Sequence, residues 1–253
     1  MSQEHQCRQC GTCCRKGGPA LHRQDAHLLT SGVLQLQDLC TLRSGELVRD
    51  ASNNAVVPLP EEIVKIAAPF GSRPDDWTCR FLTEDNRCFI HETAPAECQA
   101  LFCDDPKALL DMHGEDRLDR KAILGILNAP QWLAESVEAH ESRCNYAALI
   151  ELASHLEKQE AARRALVEVV EYDRAFRDII MEKGKVKQEM LDFLFGRPLM
   201  QTIIMFGIDA RMNADGSITL VQTTKATISR AEEEKPRLIL PSDFNTPSGK
   251  IQL

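Results

Sequence analysis

From about residue 106 to 183, apolar residues recur at helical spacing. Ile123, Leu124, Ile126 and Leu127 form one apolar cluster, and Pro130 stands where it would open a second helix carrying Trp132, Leu133 and Val137. From Tyr146 onward the apolar positions are Leu149, Leu152, Ala153, Leu156, Leu166, Val169, Val170, Phe176 and Ile180. Their spacing is roughly 3.6 residues and predicts one long helix, or two divided near Ala161. Glu160/Arg164 and Asp173/Arg177 lie four apart and read as supporting pairs. The stripe predicts a bundle packed on the preceding region rather than a partner-binding surface. Residues 185–195 predict another helix, stopped by Gly196 and Pro198. The period then changes to two: 208–212 and 217–221 alternate around Asn213-Ala-Asp-Gly216, which predicts a β-hairpin.

The first hundred residues carry shorter signals. Asp25 is placed to cap a short helix that includes Leu28 and Leu29, with His22 and His27 on its solvated face. Residues 46–50 and 55–58 flank Ser52-Asn53-Asn54, a small hairpin with an asparagine turn. Pro60, followed by two glutamates and Ile63-Val-Lys-Ile66, predicts a short helix. Thr83-Glu-Asp-Asn86 is a turn between two short apolar pieces and brings Cys79 and Cys88 together. Pro95 opens a helical turn that carries Cys98. From Ser229 the chain is charged and rich in turn-formers, a mobile tail.

Composition changes this picture through the cysteines. There are ten in 253 residues, and eight fall in two groups: Cys7, Cys10, Cys13 and Cys14, then Cys79, Cys88, Cys98 and Cys103. The N-terminus lacks the basic start and apolar run of a signal peptide, and no apolar run is long enough to span a bilayer. The expected location is therefore the cytoplasm. In that reducing compartment clustered thiols point to metal or redox chemistry rather than structural disulfides. The formal charge of −8 argues against a nucleic-acid binder, which usually shows a basic patch, and no run of lysines and arginines appears. No glycine-rich nucleotide fingerprint is present.

Two cysteines separated by two residues let the backbone turn so that both sulfurs approach one metal, a spacing used by zinc sites and iron–sulfur clusters alike. Gly11 permits a positive φ beside the sulfurs. Adjacent side chains such as Cys13 and Cys14 tend to diverge, which suits different metals or different corners of a cluster. Eight grouped sulfurs suffice for two four-sulfur sites, and fewer suffice where a thiolate bridges. His91, three residues after Cys88, is the one histidine near a ligand position. Cys40 and Cys144 lie outside the groups and read as buried core cysteines. Asp104, Asp105, Asp75 and Asp76 are acid/base candidates whose simpler reading is turns and helix caps.

The knuckle Cys7, Cys10, Cys13, Cys14, the Asp25 helix, the Cys79-Arg-Phe-Leu…Cys88-Phe-Ile hairpin, the Pro95-Ala-Glu-Cys98 turn and Cys103 together resemble the YkgJ-type, or CxxCxxCC, cysteine-cluster family. The resemblance spans roughly residues 7–103 and implies zinc or iron chelation. Some members are described as iron–sulfur oxidoreductases, and related domains occur in flagellin lysine N-methylases. This chain departs from the pattern at His91, where tyrosine is usual, and at Ala94 and Gln99, where arginine is usual or frequent.

The sequence thus predicts an α+β protein: an irregular cysteine-rich metal-binding domain with short hairpins at 1–105, a mostly α-helical region with a terminal β-hairpin at 106–228, and a tail at 229–253. Two function classes compete. One is a metal-binding module with a closed zinc or iron–sulfur centre that works with a protein partner and with neither nucleic acid nor membrane. The other is an iron–sulfur oxidoreductase or a protein lysine N-methylase-like enzyme, favoured by the excess of sulfurs and the long insertion between the groups.

Overall fold

The computed structural model describes residues 7, 9–49, 55–103, 105–112, 114–156 and 159–223. The predicted tail and the asparagine turn at 52–54 lie outside them. The fold is α+β, with helices and small antiparallel strand pairs.

The first helix, α1 (Thr12–Lys16), leads through Gly17, Gly18 and Pro19 into a stretch that lies along β4 (Ile63–Ile66). Leu21 N–H donates to the Val64 carbonyl and Ile66 N–H to the Pro19 carbonyl, both at 2.9 Å. β4 in turn pairs antiparallel with β1 (Leu39–Leu42), Leu39 opposite Ile66 and Leu42 opposite Ile63. The sequence pattern over 60–68 predicts a helix, and the structure corrects it. Ile63, Val64 and Ile66 are β-branched, and Val64 and Ile66 are buried while Lys65 between them is not. That two-residue alternation fits a half-buried strand, and pairing with β1 outweighs the helix-start signal of Pro60 and its acids. Beside this sheet, β2 (Leu47–Arg49) and β3 (Val56–Pro58) form the expected small hairpin, Leu47 opposite Pro58.

A short helix, α2 (Ala26–Thr30), follows a 3-10 turn at Arg23–Asp25. Later come α3 (Ala96–Ala100) and α4 (Lys107–Met112), then the helical half: α5 (Arg120–Ile126), α6 (Gln131–Cys144), α7 (Tyr146–His155) and α8 (Glu160–Gly184). Asp119 caps α5 by accepting from Ala122 N–H at 2.6 Å, and Asn145 caps α7 by accepting from Ala148 N–H at 2.9 Å. The expected division of the long helical pattern falls between α7 and α8. The predicted helix over 185–195 is shorter, a 3-10 turn and then α9 (Leu191–Phe195), because Lys185 adopts φ +55° at the end of α8. After α10 (Leu199–Thr202) the predicted hairpin forms from β5 (Ile208–Met212) and β6 (Ile218–Gln222), Ala210 opposite Leu220.

Two hydrophobic cores result. One joins the N-terminal strands to the helices: Leu21, Leu39 and Ile66 cluster with Ile123, Phe193 and Phe195. The other holds α7 and α8 against α10 and the last hairpin through Tyr146, Leu166, Val170, Leu199, Ile208 and Leu220. The C-terminal carbonyls of α9 face the first core, where water cannot satisfy them. Side chains do so instead: Thr41 donates to Phe193 O, Arg120 to Leu194 O, and Arg177 to Phe195 O and Gly196 O.

Asp173 and Arg177, predicted as a supporting pair on α8, are core residues at 2% and 6% exposure. Asp173 Oδ1 accepts from His140 Nε2 at 2.7 Å and Arg177 Nε at 2.9 Å, and its Oδ2 accepts from Leu199 N–H at 2.9 Å. Burial alone would raise the carboxyl. The Arg177 charge and the His140 bond outweigh it and hold Asp173 well below the usual carboxylate range. His140 is fully buried, and its Nδ1 has no partner among the described residues. Desolvation pulls its imidazole below the ordinary value despite Asp173, and Arg43 and Arg177 add to that. One ring nitrogen on a carboxylate and the other in an apolar pocket describe a neutral imidazole.

A pH dependence follows. The unfolded chain takes up a proton at His140 near pH 6.5, the usual histidine value, while the folded chain resists it. The contribution of His140 is present above that pH and is lost as pH falls toward the lower folded value. Between pH 6.5 and 5.5 wild type should lose up to about 1 kcal/mol that a His140→Gln variant does not lose. Urea unfolding of both proteins at the two pH values measures the difference, and parallel losses would remove His140 as the source.

Candidate metal centre

Gly11, at φ +72°, turns the chain between Cys10 and α1. This is the left-handed conformation expected of it, and it lets Cys10, Cys13 and Cys14 follow one another around a tight bend. Cys10 Sγ lies 3.3 Å from Thr12 Oγ1, and that hydrogen bond leads the causes that lower its thiol pKa. Gln9 N–H donates to Cys7 Sγ at 3.4 Å. Arg15 donates to the Cys10 carbonyl at 3.2 Å and also reaches Asn86, in the turn that precedes Cys88.

The second cysteine group is docked onto the first by backbone. Cys79 N–H donates to the Cys14 carbonyl at 2.7 Å. The predicted hairpin forms: Leu82 bridges to Cys88, Thr83 N–H donates to Arg87 O at 2.8 Å, and Asn86 takes φ +66° in the turn. Pro95 precedes α3, which carries Cys98, as expected. Cys103 follows α3 and is partly buried. Two residues before Cys79, Trp77 lies under Lys65 at 5.5 Å and Arg197 at 4.8 Å, while Arg197 pairs with buried Glu46 at 2.5 Å.

The approach of α1 to the sheet depends on Gly18. A Cβ there would meet the Ile66 carbonyl and come within 2.7 Å of the Ile66 Cβ. Gly18→Ala must therefore push the segment that leaves the knuckle away from β4. We expect a loss of about 1–3 kcal/mol, the usual cost of overpacking, read as a lowered melting temperature. An unchanged melting temperature would show that the segment shifts freely.

Electrostatics ties the sulfurs together. Cys13 and Cys14 Sγ lie 3.9 Å apart. The expected divergence of adjacent side chains is not met: two thiolates on one tetrahedral zinc, each at about 2.3 Å, stand about 3.8 Å apart. The pair shares a proton, so the hydrogen bond from Cys14 lowers Cys13 to about 6 while Cys14 is held well above the usual thiol range. Burial raises Cys79 and Cys88. Charge couples Cys14 to Cys79 and Cys98, Cys79 to Cys88, and Cys88 to Cys7, while Cys13 acts on Cys10, Cys14, Cys79, Cys88 and Cys98. Cys98 reaches the surface, yet its sulfur stands in a densely packed neighbourhood; that desolvation, then the charges of Cys79, Cys13 and Cys88, holds its thiol far up. A set of thiols that raise one another fits a cation, which would reverse the sign of these interactions and deprotonate them.

The remaining candidates fall outside this set. His91 is exposed in a 3-10 turn. Asp105 accepts from Lys107 N–H at the start of α4 and Asp76 from Thr78 N–H at 2.9 Å, turn and cap roles, while Asp75 forms an exposed ion pair with Arg73. Asp104 lies outside the described residues. Cys40 and Cys144 are buried as expected, and burial pushes both thiols up to about 12. Cys144, His140 and Asp173 bring donor atoms within 4.8 Å of one another. Arg177 already occupies Asp173, and Arg43 donates to the Cys144 carbonyl at 3.1 Å, so this is an ion-pair cluster whose two guanidinium groups oppose a bound cation.

Sequence reasoning missed the polar frame around α3. His22, expected on a solvated face, is 2% exposed. Its Nδ1 lies 2.7 Å from the Glu115 carbonyl and its Nε2 3.2 Å from Glu97 Oε1. Both are acceptors, so both nitrogens are satisfied only in the imidazolium, and the Glu97 bond leads the causes that raise its pKa. Asp25 leaves α2 without a side-chain cap. Its Oδ2 accepts from His22 N–H at 2.9 Å, and its Oδ1 from Ala96 N–H at 2.8 Å, at the first turn of α3. The three-residue spacing from His22 to Asp25 is that of a capping box and was the available signal.

These features define a cysteine-cluster domain whose two cysteine-bearing segments are locked together by backbone and buried carboxylates. Residues 6–113 match the family model CxxCxxCC, described as "Putative zinc- or iron-chelating domain", so over this part the chain is similar to that family. The match supports a metal-binding role for this part of the chain. No curated protein matches the chain, and no solved structure does. No helix among the described residues is long and apolar enough to cross a membrane.

Proposed function

We propose that the protein is a cytoplasmic metal-binding module whose centre, zinc or iron–sulfur, is ligated by Cys7, Cys10, Cys13, Cys14, Cys79, Cys88, Cys98 and Cys103. The centre holds more than one metal ion, and Cys13 is its bridging thiolate. The meeting of the two groups carries this reading: Cys79 N–H donates to the Cys14 carbonyl at 2.7 Å, and Cys13 Sγ lies 3.9 Å from Cys14 Sγ. One tetrahedral ion takes four donors, so a larger set with a common member favours several metals. The helical half supplies the surface through which the module meets a protein partner.

Anaerobic purification followed by elemental analysis, an acid-labile sulfide assay and an absorption spectrum tests the proposal. Two or more equivalents of zinc without sulfide support a zinc–thiolate centre, and iron with sulfide and a brown chromophore supports a cluster. A folded protein with no metal refutes metal binding, and a single tightly held ion refutes the bridge.

A second reading, an iron-dependent oxidoreductase or lysine N-methylase-like enzyme, draws on one observation: Cys7 and Cys10 are exposed, so part of the centre faces solvent. Redox titration of the iron-loaded protein separates the two readings. A reversible couple favours the enzyme, and redox silence favours the module.

A further inference from the structure

We infer that His22, Asp25 and Glu97 are positioning residues for Cys98, a buried clamp that sets where one corner of the metal centre stands. The inference rests on the metal-binding reading above.

α3 has five residues, too few to fix its own orientation. Its place is set by a closed ring of hydrogen bonds. Ala96 N–H donates to Asp25 Oδ1, and Asp25 Oδ2 accepts from His22 N–H. The His22 ring reaches Glu97 Oε1, and Glu97, one residue beyond Ala96, closes the circuit. Glu97 Oε2 also accepts from Ala20 N–H at 2.7 Å, which ties α3 to the stretch lying along β4. The His22 bond to the Glu115 carbonyl anchors the ring on its far side. Cys98 follows Glu97 directly in the chain.

None of the three side chains carries sulfur, and a buried ion pair with its hydrogen bonds is weak evidence of stability alone. Its specific effect is orientation. Groups that hold a metal ligand in place from behind change metal affinity by about 10–100-fold when removed. Glu97→Ala opens the ring at the residue next to the sulfur. Glu97→Gln does not need to: the amide nitrogen can donate to Nε2 of a neutral His22, whose Nδ1–H still donates to Glu115, while the amide oxygen accepts from Ala20.

The test is a double-mutant cycle with cobalt(II) as the probe under anaerobic conditions. The readouts are thiolate-to-cobalt absorption and the rate of cobalt release to excess chelator. Glu97→Ala should speed release about tenfold or more and alter the absorption, while Glu97→Gln stays within about twofold of wild type. In a Cys98→Ala background, Glu97→Ala should change little further, because the corner it positions is gone. If Glu97→Ala does not fold, His22→Gln takes its place in the cycle. Equal acceleration in both backgrounds, or failure of Glu97→Gln to rescue, overturns the clamp while leaving metal binding intact. A folded wild type that takes up no cobalt overturns the metal reading itself, and the clamp with it.

Discussion

Asp173→Ala is expected to cost the fold about 3–5 kcal/mol, the usual penalty for removing one partner of a buried ion pair. The carboxylate serves three donors at once: His140, Arg177 and the Leu199 backbone, at 2.7–2.9 Å. Alanine would leave the Arg177 guanidinium buried with one fewer anion and the first turn of α10 without its acceptor. Arg177 also holds the carbonyls of Phe195 and Gly196, so the loss should spread into α9. At roughly 2–4 °C per kcal/mol for a chain of this size, the melting temperature should fall by roughly 6–20 °C. Urea unfolding checks the free energy. A cost below about 1 kcal/mol, the range of exposed pairs, would show that water replaces the carboxylate and that the cluster is not dry. Asp173→Asn should fall between, since the amide accepts from two donors but presents its own N–H groups to the third.

The other large effect is expected at Cys13. If this thiolate bridges, Cys13→Ala removes a donor from more than one metal at once, and metal content should fall below about half of wild type, the share expected when one of two ions depends on a single terminal ligand. Cys7→Ala, at the edge of the set, should remove at most one ion. Cys40→Ala is the control: that thiol is buried in β1 outside both groups and should leave metal content unchanged. Elemental analysis of the three proteins prepared in parallel decides. Equal losses for Cys13→Ala and Cys7→Ala would remove Cys13 from the bridging position while leaving the other sulfurs as ligands. Because metal binding to thiolates is coupled to folding, thermal unfolding with and without chelator should show Cys13→Ala resembling stripped wild type.

Much of the local structure was legible along the chain. The helical stripe from 106 to 183, the stop at Gly196, the hairpin around Asn213–Gly216 and the turn before Cys88 all appear where short-range signals place them, since caps, turns and periodicity act between near neighbours. Residues 60–68 failed for the converse reason. Their helix-start signal is local, whereas their strand depends on a partner more than twenty residues earlier. His22 and Asp25 failed in the same way. Within the chain they look like a polar turn and a cap, and only the arrival of α3 turns them into buried partners of Glu97 and Ala96.

The sequence alone determined that this is a cysteine-cluster protein. Thiol number, two-residue spacing and the doubled cysteine are properties of the chain, and they specify the donor chemistry whatever the fold. It also determined the amphipathic helices, since period is a one-dimensional property. Tertiary structure alone decided which charges lie inside. Asp173 and Arg177 are four residues apart in a helix, a spacing that suits an exposed pair equally well, and only the packing of α6 and α9 against α8 made them core. It likewise decided that the Cys79 segment docks on Cys14 and that Cys13 Sγ lies 3.9 Å from Cys14 Sγ. Separations between segments sixty or more residues apart are fixed by backbone docking such as Cys79 onto Cys14, and nothing in local sequence encodes that distance.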